Sequence, residues 1–515
     1  GSGRARKALM PRMAAIDVGS NASRLLIAEP AGEDDFRVLY HDRIPVRLGH
    51  QVFITGKLAP SAIEACVEAM RAFKLKMEEH GVEHHRAVVT ASARDAENAE
   101  ELIDRVRDLG IALEAIDGSE EARLVKLAIS RRIPLEGKRA LLVDLGGGSL
   151  ELSEVRHDEV RYSTSLPIGT VRLLESFLDN GQPVSEKQYR LLVEYIDRIL
   201  QPVADDFLRR SYDVVAVAGG NFEAIAALCP GPSGPIPSID VRKAHQLLQR
   251  MKAMSAEERM QVFQLRPDRA DVIVPALCVL DAVAHIARTD LFLVPGVGVR
   301  EGIIYDLLRR KIEGREPQFE EPQSVRAAIL LGRRYHFDEA HATQVDRLAC
   351  QLFDALAPIH GLPRSDRLLL RVASLLHDVG DFIEYAGHHK HTQYIIEHSE
   401  ILGLSRERRL VVACIARYHR RAPPSTKHQG FARLNEEERE KVKRLSAILR
   451  IADALDRGHR SKVQHLEVTL GSREITILVS SREDLSLELW TSERKGEYFE
   501  KLFRRKLRFL AERRD

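Results

Sequence analysis

The sequence predicts an α/β fold of two similar lobes, then an all-helical domain and a small basic α+β module. Three observations carry this. The phrase AAIDVGSNASRLLIAEP recurs as ALLVDLGGGSLELSEV, each a short apolar strand, a glycine turn and a second strand. Strands alternate with helices through the first three hundred residues, as a layered sheet requires. After a charged, Pro-bearing break at Glu313–Gln323 the period becomes helical, and from His465 it drops to two. At 515 residues the chain has room for three or four domains. They are expected at 12–130, 131–312, 324–458 and 459–515.

The elements follow in order. Ala14–Val18 and Arg24–Ala28 flank the turn Gly19-Ser20-Asn21, and Ser61–His80 carries Ile63, Val67, Met70 and Phe73 at helical spacing. His85–Thr90 reads as a strand and Ala96–Leu109 as a helix. The second copy places strands at Ala140–Asp144 and Leu150–Val155. Val214–Ala218 runs into Gly219-Gly220-Asn221, Pro230–Pro237 is a loop, and Leu291–Val294 runs into another glycine turn. Helices are expected at Ser324–Tyr335, Ala340–Leu356, Ser365–Leu376, Thr392–His398, Arg406–Tyr418 and Glu436–Leu455. Strands at His465–Leu470, Glu474–Val479 and Leu485–Trp490, then a basic amphipathic helix from Gly496 to about Glu512, complete the expectation.

Composition excludes several classes. No apolar run approaches the ~20 residues of a membrane helix, and the basic start has no apolar segment of a secretory signal. Five scattered cysteines without a C-x-x-C pair fit reduced thiols of a cytoplasmic protein and exclude a disulfide scaffold or zinc ribbon. The net charge of +2 hides a split. Residues 1–404 hold 51 basic and 59 acidic side chains, a balance of −8, and residues 405–515 hold 27 and 17, a balance of +10. A basic C-terminal region reads either as a polyanion contact or as a solvated face.

Asp17-x-Gly19-Ser20-Asn21-x-Ser23 and Asp144-x-Gly146-Gly147-Gly148-Ser149 each follow a buried strand. Glycines there let backbone N–H groups approach phosphate oxygens, and the aspartates sit where a hydrated Mg²⁺ would be held. Gly219-Gly220-Asn221 offers a third cradle at a helix start. Either phrase alone reads more simply as a turn with a capping Asp; two copies favour a ligand. Neither matches G-x-x-x-x-G-K-[ST], which excludes a P-loop.

The duplicated phrase resembles the phosphate loops of the actin-like ATPase and sugar-kinase superfamily. With TASARDAEN, IDGSEEARL and VGVREGI, the stretch Ala14–Leu308 is similar to the exopolyphosphatase / guanosine pentaphosphate phosphohydrolase family. The resemblance implies two actin-like, ribonuclease H-like lobes and Mg²⁺-dependent removal of the terminal phosphate of inorganic polyphosphate or pppGpp, by a homodimer. It places the general base at Glu121, with Glu120 the alternative, and metal and water at Asp144 and Glu151, with Asp17 beside them. It gives Arg94 a phosphate contact and leaves Arg24 unassigned. The residues alone read Glu120-Glu121 as an acidic first helical turn.

In the helical region, His341, His377-Asp378, His388-His389-x-His391, His419 and Asp453 resemble the ordered ligands of the HD phosphohydrolase superfamily. That resemblance implies a divalent metal on His341, His377, Asp378 and Asp453. His389 or His391, together with His419, would serve a second metal or a phosphate. A metal-binding vestige, a second phosphohydrolase site and plain helix packing remain open. Lys501, Arg504, Arg505, Lys506 and Arg508 load the final segment. Few aromatics accompany them, which disfavours a base-reading nucleic-acid protein. The reading is thus an exopolyphosphatase. The alternatives are a dedicated pppGpp phosphohydrolase, a non-catalytic polyphosphate or (p)ppGpp sensor, and a kinase sharing the fold.

Overall fold

In the computed structural model the described residues are 11–513 except 33, 180, 205–208, 314–320 and 385–386. The chain divides into two compact units, Gly1–Gln318 and Phe319–Asp515. The centre of the expected break, 314–320, lies outside the described residues.

The first unit is built on two sheets with the same plan. The first holds β1 (Arg12–Val18), β2 (Ala22–Pro30), β3 (Phe36–Pro45), β4 (Val82–Val89) and β5 (Leu113–Ala115) in the order β3-β2-β1-β4-β5. The second holds β6 (Arg139–Leu145), β7 (Leu150–Arg156), β8 (Glu159–Leu166), β9 (Val214–Ala218), β10 (Ser238–Asp240) and β11 (Leu291–Leu293). Its order, β10-β11-β9-β6-β7-β8, repeats the first with one added edge strand. In each, the opening strand pairs antiparallel with the second and parallel with the fourth: β1 with β2 and β4, β6 with β7 and β9. The duplication seen in the sequence is therefore a duplication of topology. β1, β6 and β9 are buried on both faces, which explains their unbroken apolar runs.

Helices seal these sheets. The helix Pro60–Glu79 buries Ile63, Cys66, Val67, Met70 and Phe73 against β1, β2 and β4. The helix Ile273–Ala287 is buried nearly all round in the second lobe, beside Phe222 and Phe292. The helix Gly118–Ser130 packs closely on Val299–Glu313: a Cβ at Gly302 would fall 2.1 Å from the Leu124 carbonyl oxygen. All five cysteines are buried and unbridged, so their role is packing.

The second unit has helices Glu321–Arg334, Glu339–Ala355, Arg367–Leu376, His388–Glu397, Arg406–Arg417 and Glu436–Ala454, close to expectation. Its C-terminal part departs from it. β12 (His465–Leu470) and β13 (Glu474–Ser481) form as expected, but Ser486–Phe503 is one helix and β14 (Lys506–Arg513) is a strand parallel to β13. The expected strand Leu485–Trp490 and the expected helix Gly496–Glu512 are both corrected. The alternation LSLELW matched a strand period over too few residues to decide. A helix there supplies the crossover that joins β13 to its parallel partner. Gly496 lets the helix lie over Leu507 and Phe509, and Arg504 turns the chain at φ 52°. Leu466, Ile475, Ile477, Val479, Phe499 and Phe509 join the same buried core as the preceding helices, so residues 459–515 share a core with 324–458. Among the described residues no helix is long and apolar enough to cross a membrane.

Candidate active site and a second ligand cluster

The glycine turns of the two lobes meet at a cleft of about 510 Å³ lined by Asp17, Gly19, Ser20, Asn21, Glu121, Asp144, Gly146, Gly147, Gly219, Gly220 and Asn221. Gly147 is where the two loops touch: a Cβ there would fall 2.7 Å from the Ser20 Cβ. Gly219, at φ 110°, lies where any side chain would strike the Leu145 carbonyl. The buried Ser20 hydroxyl has no hydrogen-bond partner, and Asn21 Nδ2 donates to the Asp268 carbonyl across the cleft.

Not every expected loop residue reaches the cleft. Ser23 lies on β2 with its hydroxyl 3.9 Å from the Cys66 sulfur, in the first lobe's core, so its phosphate-binding role is corrected. Strand alternation sends it to the face opposite its neighbours. Gly148 and Ser149 lie behind the lining: the Gly148 carbonyl accepts from Arg172 and the Ser149 hydroxyl from Arg94. Arg94 faces carboxylates, 3.5 Å from Glu121 and 3.8 Å from Glu151, as a counter-charge to them.

The carboxylates are placed by the sheets. Asp144 and Glu151 sit directly opposite on β6 and β7. Glu121 comes from the first turn of Gly118–Ser130, whose N-terminus is capped by the Asp117 side chain. One oxygen from each of Glu121, Asp144 and Glu151 lies within 4.8 Å of the others. Burial and the neighbouring Glu151 push Glu121 well above the ordinary carboxylate range, with Arg94 opposing. Burial, Glu151 and Asp17 push Asp144 up to about 8. Burial raises Glu151 and Asp17 too, against Arg94 and Arg24 respectively.

Glu120 is different. It is held by Arg86 at 2.9 Å and Arg123 at 2.7 Å. Burial alone would raise it, but these cations outweigh burial and it ends below the ordinary range. The carboxylate that raises Glu121, after burial itself, is thus Glu151, and Glu120 belongs to a structural ion-pair network.

Five arginines were not assigned from sequence: Arg24, Arg43, Arg266, Arg269 and Arg300 all line the cleft. Burial, then Arg24 and Arg43, lower Arg269 to about 10. It donates to Asn221, and Arg43 is paired with Asp268. Nothing in their local sequence separates them from surface arginines; only the fold gathers them. Together with the N–H-rich turns they suit a polyanion, and the carboxylates suit a divalent cation.

In the second unit His341, His377, Asp378 and Asp453 converge, as expected, with one ligand atom each inside 4.8 Å. His336, five residues before His341, stacks on Phe382 and is not part of the cluster. His419 also joins, beside Asp378 and His388. Here the expectation is corrected: His388, not His389 or His391, stands with His419 and Asp378. His388 is buried at the helix start and points at Asp378, whereas His389 is only half-buried. Three adjacent candidates at a helix N-terminus face different directions, and the sequence alone does not choose among them.

Comparison with known proteins now places the chain. The model of the Ppx/GppA phosphatase family matches residues 26–311, and that of Ppx/GppA phosphatase domain III matches 325–492. A guanosine-5'-triphosphate,3'-diphosphate pyrophosphatase of Aeromonas hydrophila is 29% identical over 400 residues, covering 77% of this chain and 78% of that protein. One of Vibrio vulnificus is 26% identical over 482 residues, 92% of each. The crystal structure of an exopolyphosphatase from Cytophaga hutchinsonii superposes with a TM-score of 0.54 at 24% identity, over 59% of this chain and 99% of that one, and shows the same fold. The duplicated α/β unit with its actin-like plan, the helical unit that follows it in the sequence and the matched sequence over both make this chain a member of the Ppx/GppA phosphatase family.

Proposed function

We propose that the chain is an exopolyphosphatase that removes the terminal phosphate of inorganic polyphosphate, with Mg²⁺, as a cytoplasmic homodimer. The observation that carries this is the cleft itself. It joins a buried, proton-hungry Glu121 to a lining of arginines and glycine turns, and its described lining holds no Phe, Tyr or Trp. A chain of phosphates matches such a surface better than a nucleobase does. Hydrolysis of pppGpp is the second reading, favoured by the likeness to the guanosine-5'-triphosphate,3'-diphosphate pyrophosphatases of Aeromonas hydrophila and Vibrio vulnificus.

The residues fit a divalent cation. The buried Glu151 Oε2 lacks a hydrogen-bond partner, and burial raises Asp17, Asp144 and Glu151, with Glu151 and Asp17 adding to the rise at Asp144. These three would hold it, and once bound it would neutralise charge on the phosphoryl oxygens. Ser20, Asn21 and the turn amides orient the terminal phosphate. Glu121 takes a proton from the attacking water as its oxygen bonds to phosphorus, and the anhydride P–O bond breaks in line. Arg94 is the shared counter-charge of Glu121 and Glu151.

The test is phosphate release from long-chain polyphosphate and from pppGpp with Mg²⁺. Glu121→Gln should lower kcat by roughly 10²- to 10⁴-fold while Glu120→Gln costs far less. Full activity of Glu121→Gln on both substrates would overturn the assignment. In the second unit, we infer that His341, His377, Asp378 and Asp453 hold a divalent metal, because the Nε2 atoms of both histidines are buried and without a hydrogen-bond partner.

A further inference from the structure

The helix that carries Glu121 is tied to its surroundings by a set of ion pairs away from the cleft. Glu120, the residue before Glu121, takes two nitrogens of the Arg123 fork, with Nε 2.7 Å from Oε2 and Nη2 2.9 Å from Oε1. The third nitrogen of that guanidinium, Nη1, donates to Asp306 Oδ1 at 3.0 Å. Arg86 on β4 closes the set from the sheet, 2.9 Å from Glu120 and 3.5 Å from Asp306. Its other arm holds Glu114 on β5. Two carboxylates and two guanidiniums thus alternate in a closed ring, in which Asp306 is buried and the other three are largely covered. Three elements meet at the ring: the first turns of Gly118–Ser130, β4, and the helix Val299–Glu313.

The two helices also touch through backbone. Gly302 lies one turn before Asp306 and on the same face, and a Cβ there would meet the Leu124 carbonyl, next to Arg123. The crossing is therefore fixed twice, once by close backbone packing and once by the Arg123–Asp306 pair. The helix Val299–Glu313 lies on β1 as well, and Val299, Arg300 and Glu301 at its start line the cleft. After burial and Arg24, the groups that act on Asp17 are Arg300 and Glu301. One helix thus reaches the Asp17 corner with its first turn and the turn bearing Glu121 further along.

Stability is a poor reason for such a ring. Taking four charges out of water offsets much of their attraction, and apolar side chains of similar volume would hold two helices together as well. What forked ion pairs do better is fix orientation, because a guanidinium meets a carboxylate in one plane and at set distances. Successive helical residues point about 100° apart. Pinning Glu120 to Arg86 and Arg123 therefore sets the rotation of the first turn, and with it the direction of Glu121. Glu121 needs that restraint. After burial, Glu151 is what disfavours its charged form, with Arg94 opposing from 3.5 Å.

We propose that Arg123 and Asp306 are positioning residues for the reaction, holding the first turn of Gly118–Ser130 against Val299–Glu313 so that the Glu121 carboxylate meets the attacking water. Neither belongs to the described lining of the cleft, and both act through Glu121. This role rests on the reading of Glu121 as the base given above.

The full chain is assayed for phosphate release from long-chain polyphosphate with Mg²⁺ as Arg123→Lys, Asp306→Asn and Gly302→Ala, each alone and together with Glu121→Gln. Arg123→Lys keeps the charge and loses the fork; Gly302→Ala changes no charge and forces the helices apart. Each single variant should lower kcat about tenfold with KM unchanged. In the Glu121→Gln background the same changes should lower the residual kcat by less than about twofold, because the base they position is gone. Circular dichroism verifies that each variant is folded at the assay temperature; should Gly302→Ala not be, the two ion-pair variants carry the test.

Equal fractional losses in both backgrounds make the ring a support for the fold alone and overturn the proposal. Full kcat in Arg123→Lys, or a rise in KM at unchanged kcat, overturns it too. A loss confined to Asp306→Asn marks an effect of charge rather than of position, with the same consequence. All of these results leave Glu121 as the base. Full activity of Glu121→Gln is the separate outcome that removes the base, and the positioning role with it.

Discussion

The two lobes of the first unit carry the same strand pair with one decisive difference. In the first, Asp17 on β1 stands opposite Arg24 on β2; in the second, Asp144 on β6 stands opposite Glu151 on β7. The backbone frame is duplicated, and a single cross-strand partner sets the sign of the local field. Asp17 is raised by burial with Arg24, at 3.7 Å, pulling it back. Asp144 is raised by burial and Glu151 together, to about 8. Duplication thus supplied two equivalent positions, and divergence made one a carboxylate–guanidinium pair and the other a pair of acids.

The largest test of that difference is to erase it. Glu151→Gln should lower phosphate release by on the order of 10²- to 10³-fold, and Glu151→Arg, which copies the first lobe's pair, by more. Retained activity in Glu151→Arg would mean that the acid opposite Asp144 has no special role.

A second test uses pH. Asp17, Glu121, Asp144 and Glu151 all bind protons more tightly when folded, so the folded state holds more protons than the unfolded one above the ordinary carboxylate pKa. Their contribution to stability is therefore fully present below about pH 4 and is lost as pH rises through the folded values, about 8 for Asp144. In thermal melts with chelator, the first unit's transition should fall across that window. Added Mg²⁺ should raise it most at the alkaline end; a uniform rise would break the link to these acids.

Arg24→Ala should act on the other half of the comparison. Losing one cation from the cleft is expected to raise KM about tenfold with a smaller change in kcat. An equal fall in kcat with unchanged KM would place Arg24 at the reacting phosphate instead. The smallest effect is expected where the loops touch. Gly147→Ala forces the Ser20 side chain to shift and should cost about 1 kcal/mol in denaturant unfolding.

Much of this arrangement was legible in the residues. The repeated phrase predicted two lobes with one topology, because buried parallel strands must be apolar throughout and glycines must mark the turns that touch a ligand. The helices of the second unit were legible for the same reason: long 3.6-residue periods leave little ambiguity. Short segments were not. Leu485–Trp490 alternates over six residues, and only its place between β13 and a parallel β14 makes it a helix. That reassignment is what puts Trp490, Arg494 and Lys495 on one face.

The sequence by itself determined the duplicated α/β architecture and the helical unit, which rest on periodicity and on spacing within one element or one turn. The acids Glu121, Asp144 and Glu151 and most of the histidine cluster were legible only through the resemblance of their motifs to known families. Tertiary structure decided the rest. It separated Glu121 from Glu120 by giving one to the cleft and the other to Arg86 and Arg123. It chose His388 over His389 and His391, moved Ser23 into the core, and drew five distant arginines to one cleft. Each of those choices depends on the direction a side chain takes relative to elements far away in sequence, and local patterns carry no record of that direction.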